Sequence, residues 1–521
     1  MKVTKLFVLL LIIAFPLVVS AQNLPDDTTL VIAQSIDITT LEPFQQSSRA
    51  ESNIFGHVYA TLLDVNSDGE FTMYAADSMS LSEDRTEYTF TLKQGLTCQD
   101  GSPITADDVA FSFQRANDPA NEFTGHQAGY VMDALGYKDV RVDDEYTVTI
   151  MLNGPQPIAP GLIADVYILC REAYEGLSLE EAATTVIGSG PYRFVEWVPD
   201  DYVLLEKVEG FTLLEPTFDR LVWRVIPEAS TRVAELLTGN VDIIANVPPD
   251  QIPAVDNSGS AEVQVVNGVR RIYVGFSFNP FFADAEGFDA IQNTDVRVAM
   301  QYAVDVPTIC QTLLGADCRR ATSLVNPPND HPTIEPYPYD PAMAEQLLDE
   351  AGYPRGEDGV RFSITLQAPR GRYVNDANVA LAIGQYLSDV GIDTTVDIIE
   401  WSEYVPLIRA HEAGPLFMLG TGGSTWSAIS DMSDLSTPEG ATNYTEWKNA
   451  DWFERYPQML AITDAAEQRA MIDEMLEIFY NDPPWLMLYF QPDYYGVSNR
   501  IDWQARRDEV IDVTEASLAA S

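Results

Sequence analysis

Two hydrophobic periods alternate along this chain. From Tyr88 to Lys93, the apolar Tyr88, Phe90 and Leu92 interleave with Thr89, Thr91 and Lys93, the period of a strand with one buried face. Asp100-Gly101 then marks a turn, because glycine reaches positive φ at no steric cost. Thr105 caps the helix that follows, and Asp108 completes a reciprocal pairing close to a capping box. Farther along, Asp340 caps a helix with Pro341 in its first position, where the missing N–H needs no partner. Leu347, Leu348 and Ala351 share one face of that helix, and Gly352 ends it. The same reading predicts a helix around 377–390 stopped by Gly391, and an alternating strand over 394–400. It also predicts a helix over roughly 465–480 and an extended buried run over 485–490. Such alternation predicts α/β layers with mixed sheets. No long repeat and no low-complexity linker divides the chain, which fits domains built from discontinuous segments.

The first residues follow another logic. Lys2 and Lys5 precede an apolar run from Leu6 to Val19, and Ser20-Ala21 precedes Gln22, the layout of a secretory signal peptide over 1–21. As a helix the run would span about 21 Å against a bilayer core of about 30 Å, too short for a comfortable crossing. No second long apolar run follows, so cleavage after Ala21 is expected to release an exported, soluble chain into the periplasm or beyond, with no membrane insertion. Gln22 cannot accept a thioether-linked lipid and the first cysteine is Cys98, so no lipoprotein anchor is expected.

Length and charge narrow the classes. A chain of 521 residues predicts two or three domains, and 46% hydrophobic residues supply their cores. A formal net charge of −49 excludes ordinary nucleic-acid binding, because the chain repels a phosphate backbone. The acidity is spread evenly, as on a solvated surface. Four cysteines in an exported chain point to disulfides. Cys310 and Cys318 flank Leu313-Leu-Gly-Ala near a helix end, and Cys98 and Cys170 remain; three connectivities are open, with 310–318 and 98–170 preferred.

Motifs for chemistry are few. Asp64-Val-Asn-Ser-Asp-Gly69 starts like a calcium loop, but Ala75 stands where the bidentate Glu belongs, so a hairpin turn is expected. Gly188-Ser-Gly-Pro lacks the spacing of a nucleophile elbow. Gly420-Thr-Gly-Gly-Ser has no Lys-Ser/Thr after it and is no phosphate loop. His57, His126, His331 and His411 are scattered without zinc spacing, and Asp107/Asp108 are explained by the helix cap. No metal, cofactor or catalytic set is expected from these motifs, and they mark no enzyme. Aromatic residues gather late, in Glu400-Trp-Ser-Glu-Tyr404, Phe417–Trp426 and Asn443-Tyr-Thr-Glu-Trp447. A Trp flanked by small residues, such as Trp426, offers a flat apolar face with one N–H donor, which suits a peptide side chain or a sugar ring.

Several ordered segments resemble one family. Tyr88-Thr-Phe-Thr-Leu-Lys-Gln-Gly-Leu followed by Asp100-Gly-Ser-Pro-Ile-Thr-Ala-Asp-Asp-Val109 is similar to a signature of the extracytoplasmic solute-binding proteins of peptide-type ABC importers. Gly188-Ser-Gly-Pro-Tyr192, Thr217–Asp242, Val296–Asp305, Tyr339–Tyr353 and Asp482–Tyr489 follow in that family's order. The resemblance implies a two-lobed α/β periplasmic-binding (Venus-flytrap) fold with mixed sheets. Lobe I would take 22–55, 187–270 and 486–521, an inserted subdomain 56–186, and lobe II 271–485. It implies a monomeric receptor that captures a peptide-like ligand in the cleft and delivers it to a permease and its ATPase. An oligosaccharide or other small solute is the alternative ligand, a chemosensory or chaperone-like receptor the alternative class, and a secreted hydrolase the remotest reading. The family's Gly-Trp-x-x-Asp pattern is altered here: Gly420 matches, Thr421 replaces Trp, and no Asp follows until Asp431. The expected ligand-binding residues are Trp401, Thr425 and Trp426 on lobe II, facing Thr40, Leu41 and Glu42. Glu42 or Asp431 would then pair with a peptide ammonium, which cannot be buried alone.

Overall fold

The computed structural model describes residues 24–46, 48–66, 70–422, 427–440 and 442–520. The expected signal peptide, Thr425, Trp426 and residues 67–69 of the calcium-like turn lie outside the described residues.

Strand β1 (Thr29–Gln34) is buried along its whole length. Its period-2 geometry sends Leu30 and Ile32 into one core and Val31 and Ala33 into the core on the opposite face. Helix α1 (Arg49–Val58) starts at Ser48, which accepts from the Glu51 N–H while the Glu51 carboxylate accepts from the Ser48 N–H, a complete capping box.

The chain then leaves for a separate unit. Strands β2 (Leu63–Val65) and β3 (Phe71–Met73) form a short hairpin. Strands β4 (Ala76–Leu81), β5 (Glu87–Leu92), β6 (Tyr137–Asp144) and β7 (Thr147–Leu152) form an antiparallel sheet in the order β4-β5-β7-β6. In β5, Tyr88, Phe90 and Leu92 are buried and their neighbours half-buried, as the alternation predicts. Helix α2 (Ala106–Asn117) begins where Thr105 donates from its N–H and hydroxyl to Asp108 Oδ2, at 2.7 and 2.9 Å. A disulfide joins Cys98 to Cys170, with Cα atoms 6.1 Å apart.

Return to the main body needs a close approach. A Cβ on Gly188 would lie 2.0 Å from the Val58 carbonyl oxygen, so only glycine fits there. Ser189 between the two glycines accepts from the Ala60 N–H and donates to the Ile168 carbonyl, which makes it a structural hydroxyl.

Strands β8 (Tyr192–Val198), β9 (Tyr202–Lys207) and β10 (Arg220–Val225), helix α3 (Ala229–Leu237) and β11 (Ile243–Ile244) complete the first half of the large sheet. Strand β12 (Ala261–Phe276) leaves it for the second half. That half contains helices α4 (Thr294–Ala303) and α5 (Pro341–Glu350), β13 (Phe362–Arg370), α6 (Asp376–Asp389), β14 (Ile392–Glu400), α7 (Trp401–Arg409), β15 (Leu416–Thr421), α8 (Ala428–Met432), α9 (Ala450–Ala461) and α10 (Ala465–Asn481). Strand β16 (Trp485–Ser498) runs back. The ten strands lie in the order β14-β13-β15-β12-β16-β11-β1-β10-β9-β8, with parallel and antiparallel pairs mixed.

Two long strands therefore join the halves. Strand β12 pairs antiparallel with β16 from Ala261↔Ser498 to Gly275↔Trp485, and the register breaks between Asn267 and Arg271. The run expected to end near 490 continues to Ser498, because Gln491, Pro492 and Asp493 remain buried at this break. Gln301 of α4 anchors the strand, donating to the Trp485 carbonyl at 2.7 Å and accepting from the Met487 N–H at 3.1 Å. A second disulfide joins Cys310 and Cys318, whose Cα atoms are 5.6 Å apart.

Candidate functional site

The break in β12 and β16 faces a cavity of about 1490 Å³. Its walls come from both halves of the sheet and from the inserted unit: Arg49 and Asn53 of α1, Tyr130 and Tyr167, Arg270 and Arg271, and Tyr373, Trp401 and Asp434. That volume exceeds what a single small metabolite fills. Among the described residues one direct contact crosses it: the Tyr130 hydroxyl lies 2.5 Å from Ser433 Oγ, 303 residues away. Beneath Tyr130, the His126 ring stacks at 5.2 Å between centroids and approaches Asp165 at 3.4 Å.

The far wall is fixed through Gly420, at the end of β15. A Cβ there would lie 2.6 Å from Ile272 Cδ1 and 2.9 Å from the Tyr373 ring. Its N–H donates to the Tyr373 hydroxyl at 2.8 Å, and its carbonyl accepts from Arg270 at 3.1 Å. Both backbone groups of Gly420 are therefore used inside the protein. Trp401 opens α7, half-buried and lining the cavity, with the Arg372 guanidinium 5.7 Å from its ring and 5.1 Å from that of Tyr373.

The two carboxylates considered for an ammonium have internal partners. Asp431 lies 2.8 Å from Arg271 Nη1 and accepts from the Asn326 N–H at 2.8 Å. Burial pushes its carboxyl up to about 6, against the pull of Arg271. Glu42 accepts from Arg115 at 2.5 Å and from the Phe44 N–H at 3.3 Å. Thr40 turns inward too, its hydroxyl accepting from the Glu42 N–H. Thr40, Leu41 and Glu42 are not among the described residues that line the cavity, whereas Trp401 and Asp431 are.

Sequence reasoning missed Asp434. It lines the cavity and accepts from the Thr421 hydroxyl at 2.5 Å. Burial raises its carboxyl despite nearby Arg271. Its position after Asp431 was the available signal: one helical turn on, in a segment where the family resemblance already sought an acid. His57 lines the cavity but is inert. Its Nδ1 donates to the Asn53 carbonyl at 2.6 Å and its Nε2 accepts from the Val513 N–H at 3.1 Å, which fixes a neutral tautomer. Burial accordingly holds its pKa below the ordinary histidine value, with Asp512 opposing. Among the described residues no group of His, Cys, Asp and Glu is arranged to hold a metal ion.

A cleft walled by two half-sheets joined through paired crossing strands is the geometry of a capture protein. The sequence model of the bacterial extracellular solute-binding proteins, family 5 middle region, matches residues 70–443. The chain belongs to that family. Among curated relatives of this solute-binding protein, the glutathione-binding protein GsiB of Escherichia coli K12 is 26% identical over 479 residues, covering 88% of each chain. The periplasmic binding protein DppA of Helicobacter pylori, solved with the peptide STSA, superposes with a TM-score of 0.83 at 21% identity, covering 94% of this chain and 98% of that one. NikZ of Campylobacter jejuni, solved with Ni(L-His), gives 0.82 at 20% identity over 95% of this chain and all of its own. The fold of this solute-binding protein is thus the two-lobed periplasmic binding fold, with β12 and β16 as the strands between lobes. Among the described residues no helix is long and apolar enough to cross a membrane.

Proposed function

We propose that the protein is the exported receptor of an ABC importer, closing on a peptide-like solute and delivering it to a permease driven by an ATPase. The carrying observation is the cavity of about 1490 Å³ bounded by both lobes and bridged by Tyr130 and Ser433. A ligand that touches both walls binds the closed form better than the open one, and that difference drives closure without chemistry. The glutathione-binding and peptide-bound relatives support a peptide-like ligand.

In this reading Trp401 supplies a flat apolar face, Thr425 and Trp426 are retained as expected ligand contacts, and Asp434 takes the ligand's ammonium in place of Glu42 and Asp431. An ammonium there would offset the charge that burial disfavours on Asp434. The lobe and subdomain boundaries expected from the sequence are retained, and the sheet order supports them. Export with cleavage near Gln22, without a lipid anchor, completes the reading.

Calorimetry with di- and tripeptides against oligosaccharides of similar size tests the ligand class, and solution scattering tests closure. Peptide binding with a decrease in radius of gyration is expected; closure on a saccharide alone overturns the peptide assignment. Sequencing the mature amino terminus tests export.

A further inference from the structure

Strands β12 and β16 lose register where they run between the lobes, and β16 carries Gln491 and Asp493 through that point in full burial. Asp493, only 2% exposed, therefore sits at the hinge itself. Its two oxygens have different surroundings. Oδ1 accepts from Gln491 Nε2 at 2.8 Å. The orientation of that amide is fixed, because Gln491 Oε1 accepts from the Val374 N–H at 3.1 Å. Oδ2 is buried as well and has no hydrogen-bond partner. An ionised carboxylate with a dry oxygen that meets no donor is costly, and a proton on that oxygen removes the charge.

Nearby cations do not rescue the ionised form. Arg270 of β12 donates to Glu509 through Nη2 at 2.6 Å and also through Nε, and Arg372, in the loop between β13 and α6, lies 3.4 Å from the same carboxylate. Among the described residues no cation lies within ion-pair distance of Asp493. Glu509, from the C-terminal segment, thus engages both guanidinium groups and sets a like charge near Asp493. Burial, and after it Glu509, push the Asp493 carboxyl up to about 8, against the pull of Arg270 and Arg372. Burial would raise Glu509 too, but the two arginines hold it well below the usual carboxylate range, so Glu509 is the ionised member. Tyr494 and Tyr495 on the same strand also feel Asp493, and burial raises both hydroxyls, which stay neutral.

Two contacts tie Asp493 to the movement of the lobes. Gln491 links it to Val374, in the loop that carries Arg372 and Tyr373 into the cleft wall. The Arg372–Glu509 contact joins that loop to the C-terminal segment. Parting the lobes pulls on both contacts and admits water to the strand crossing.

We propose that the hinge carries a proton switch: Asp493 holds a proton on Oδ2 while the lobes are closed and releases it as they part, so that capture takes up one proton and is favoured by acid. The proton comes from bulk water and returns to it, and no bond other than this O–H is made or broken. The switch needs the two-lobed fold and no particular solute. Because the closed form binds the proton more tightly, its advantage is full below the ordinary carboxylate value of 3.8 and is lost progressively as pH rises toward about 8.

Solution scattering on the ligand-free mature protein between about pH 6 and 9 tests the switch. The radius of gyration should grow with pH, the closed-to-open ratio falling by up to about tenfold per unit until about pH 8. Asp493→Asn, neutral at every pH, should keep one radius across the range, with circular dichroism confirming its fold. Glu509→Gln removes the like charge and frees Arg270, so its transition should move to lower pH by about one unit or more. Infrared spectra of the wild type should show the carbonyl stretch of a protonated carboxyl near pH 7 that fades by about pH 9. A wild-type radius that ignores pH overturns the switch, and so does absence of that stretch near pH 7. An Asp493→Asn profile that follows the wild type overturns it as well. Should that variant not fold, an unshifted midpoint in Glu509→Gln does the same.

Discussion

Arg271 and Asp431 form an ion pair of 2.8 Å in which both side chains are almost fully shielded from water. The pair ties β12, just past the hinge, to α8. Removing one member of a buried pair strands the other charge, so Asp431→Asn is expected to cost about 3–5 kcal/mol, whereas Arg271→Met with Asp431→Leu costs less than the two single changes together. Urea midpoints of the wild type, Asp431→Asn, the two single changes and the double variant check this. A loss in Asp431→Asn comparable to that of an exposed change would refute it.

Tyr130→Phe removes the hydroxyl that meets Ser433 across the cleft. A neutral hydrogen bond contributes about 0.5–1.5 kcal/mol, so ligand affinity should fall about two- to tenfold. Its loss should be shared by Ser433→Ala and should not add in the double variant. Calorimetry gives the affinities, and additive losses would show that the two residues act separately.

Gly420→Ala brings a methyl against Ile272 and Tyr373 at sub-contact distances. Overpacking of this kind costs about 1–3 kcal/mol. Because Tyr373 and Arg270 both hold this residue, the expected signature is a lower melting temperature together with weaker ligand binding. A variant that binds as wild type would separate Gly420 from the cleft wall.

Acid should weaken the fold partly through His57. Its folded-state pKa lies below the ordinary value of 6.5, because the buried ring resists charging. The unfolded chain therefore takes up the proton first. The histidine's contribution is complete above pH 6.5 and is lost as pH falls from there toward the depressed folded-state value. Wild type should accordingly lose stability faster than His57→Gln on acidification below 6.5, as read from urea midpoints at successive pH values. Parallel pH profiles would exclude the residue.

The two disulfides should differ in worth. The Cys98–Cys170 link spans 72 residues and the Cys310–Cys318 link spans 8. By loop-closure entropy the first contributes about 4 kcal/mol and the second about 2 kcal/mol. Paired Cys→Ala variants, melted side by side, should show the larger fall for the first link.

Local signals made much of this fold legible. Tyr88 to Leu92, the Thr105–Asp108 start of α2, and the stops at Gly352 and Gly391 are decided within a few residues, and such signals survive folding. Strand β12 was not legible, because Arg270 and Arg271 interrupt its apolar pattern. Their counter-charges, Glu509 and Asp431, lie far along the chain, so the polar pair reads as a loop until the fold brings them together. The same distance hid the site chemistry. Glu42 and Asp431 read as free acids because nothing local reveals Arg115 or Arg271 beside them. Asp434 passed unnoticed because its burial depends on how α8 packs. Trp401, which lines the cavity, was legible as one of the aromatic residues gathered late in the chain.

Gly268 stands where β12 and β16 lose register, and a Cβ on it would lie 2.4 Å from Asp493 Oδ2. The same Cβ would lie 2.7 Å from the Gln491 carbonyl oxygen, a backbone atom that no change at 493 removes. Glycine is therefore required at 268 whatever residue stands at 493, and the crossing between the lobes is held at backbone-to-backbone distance by a residue that contributes no side chain at all.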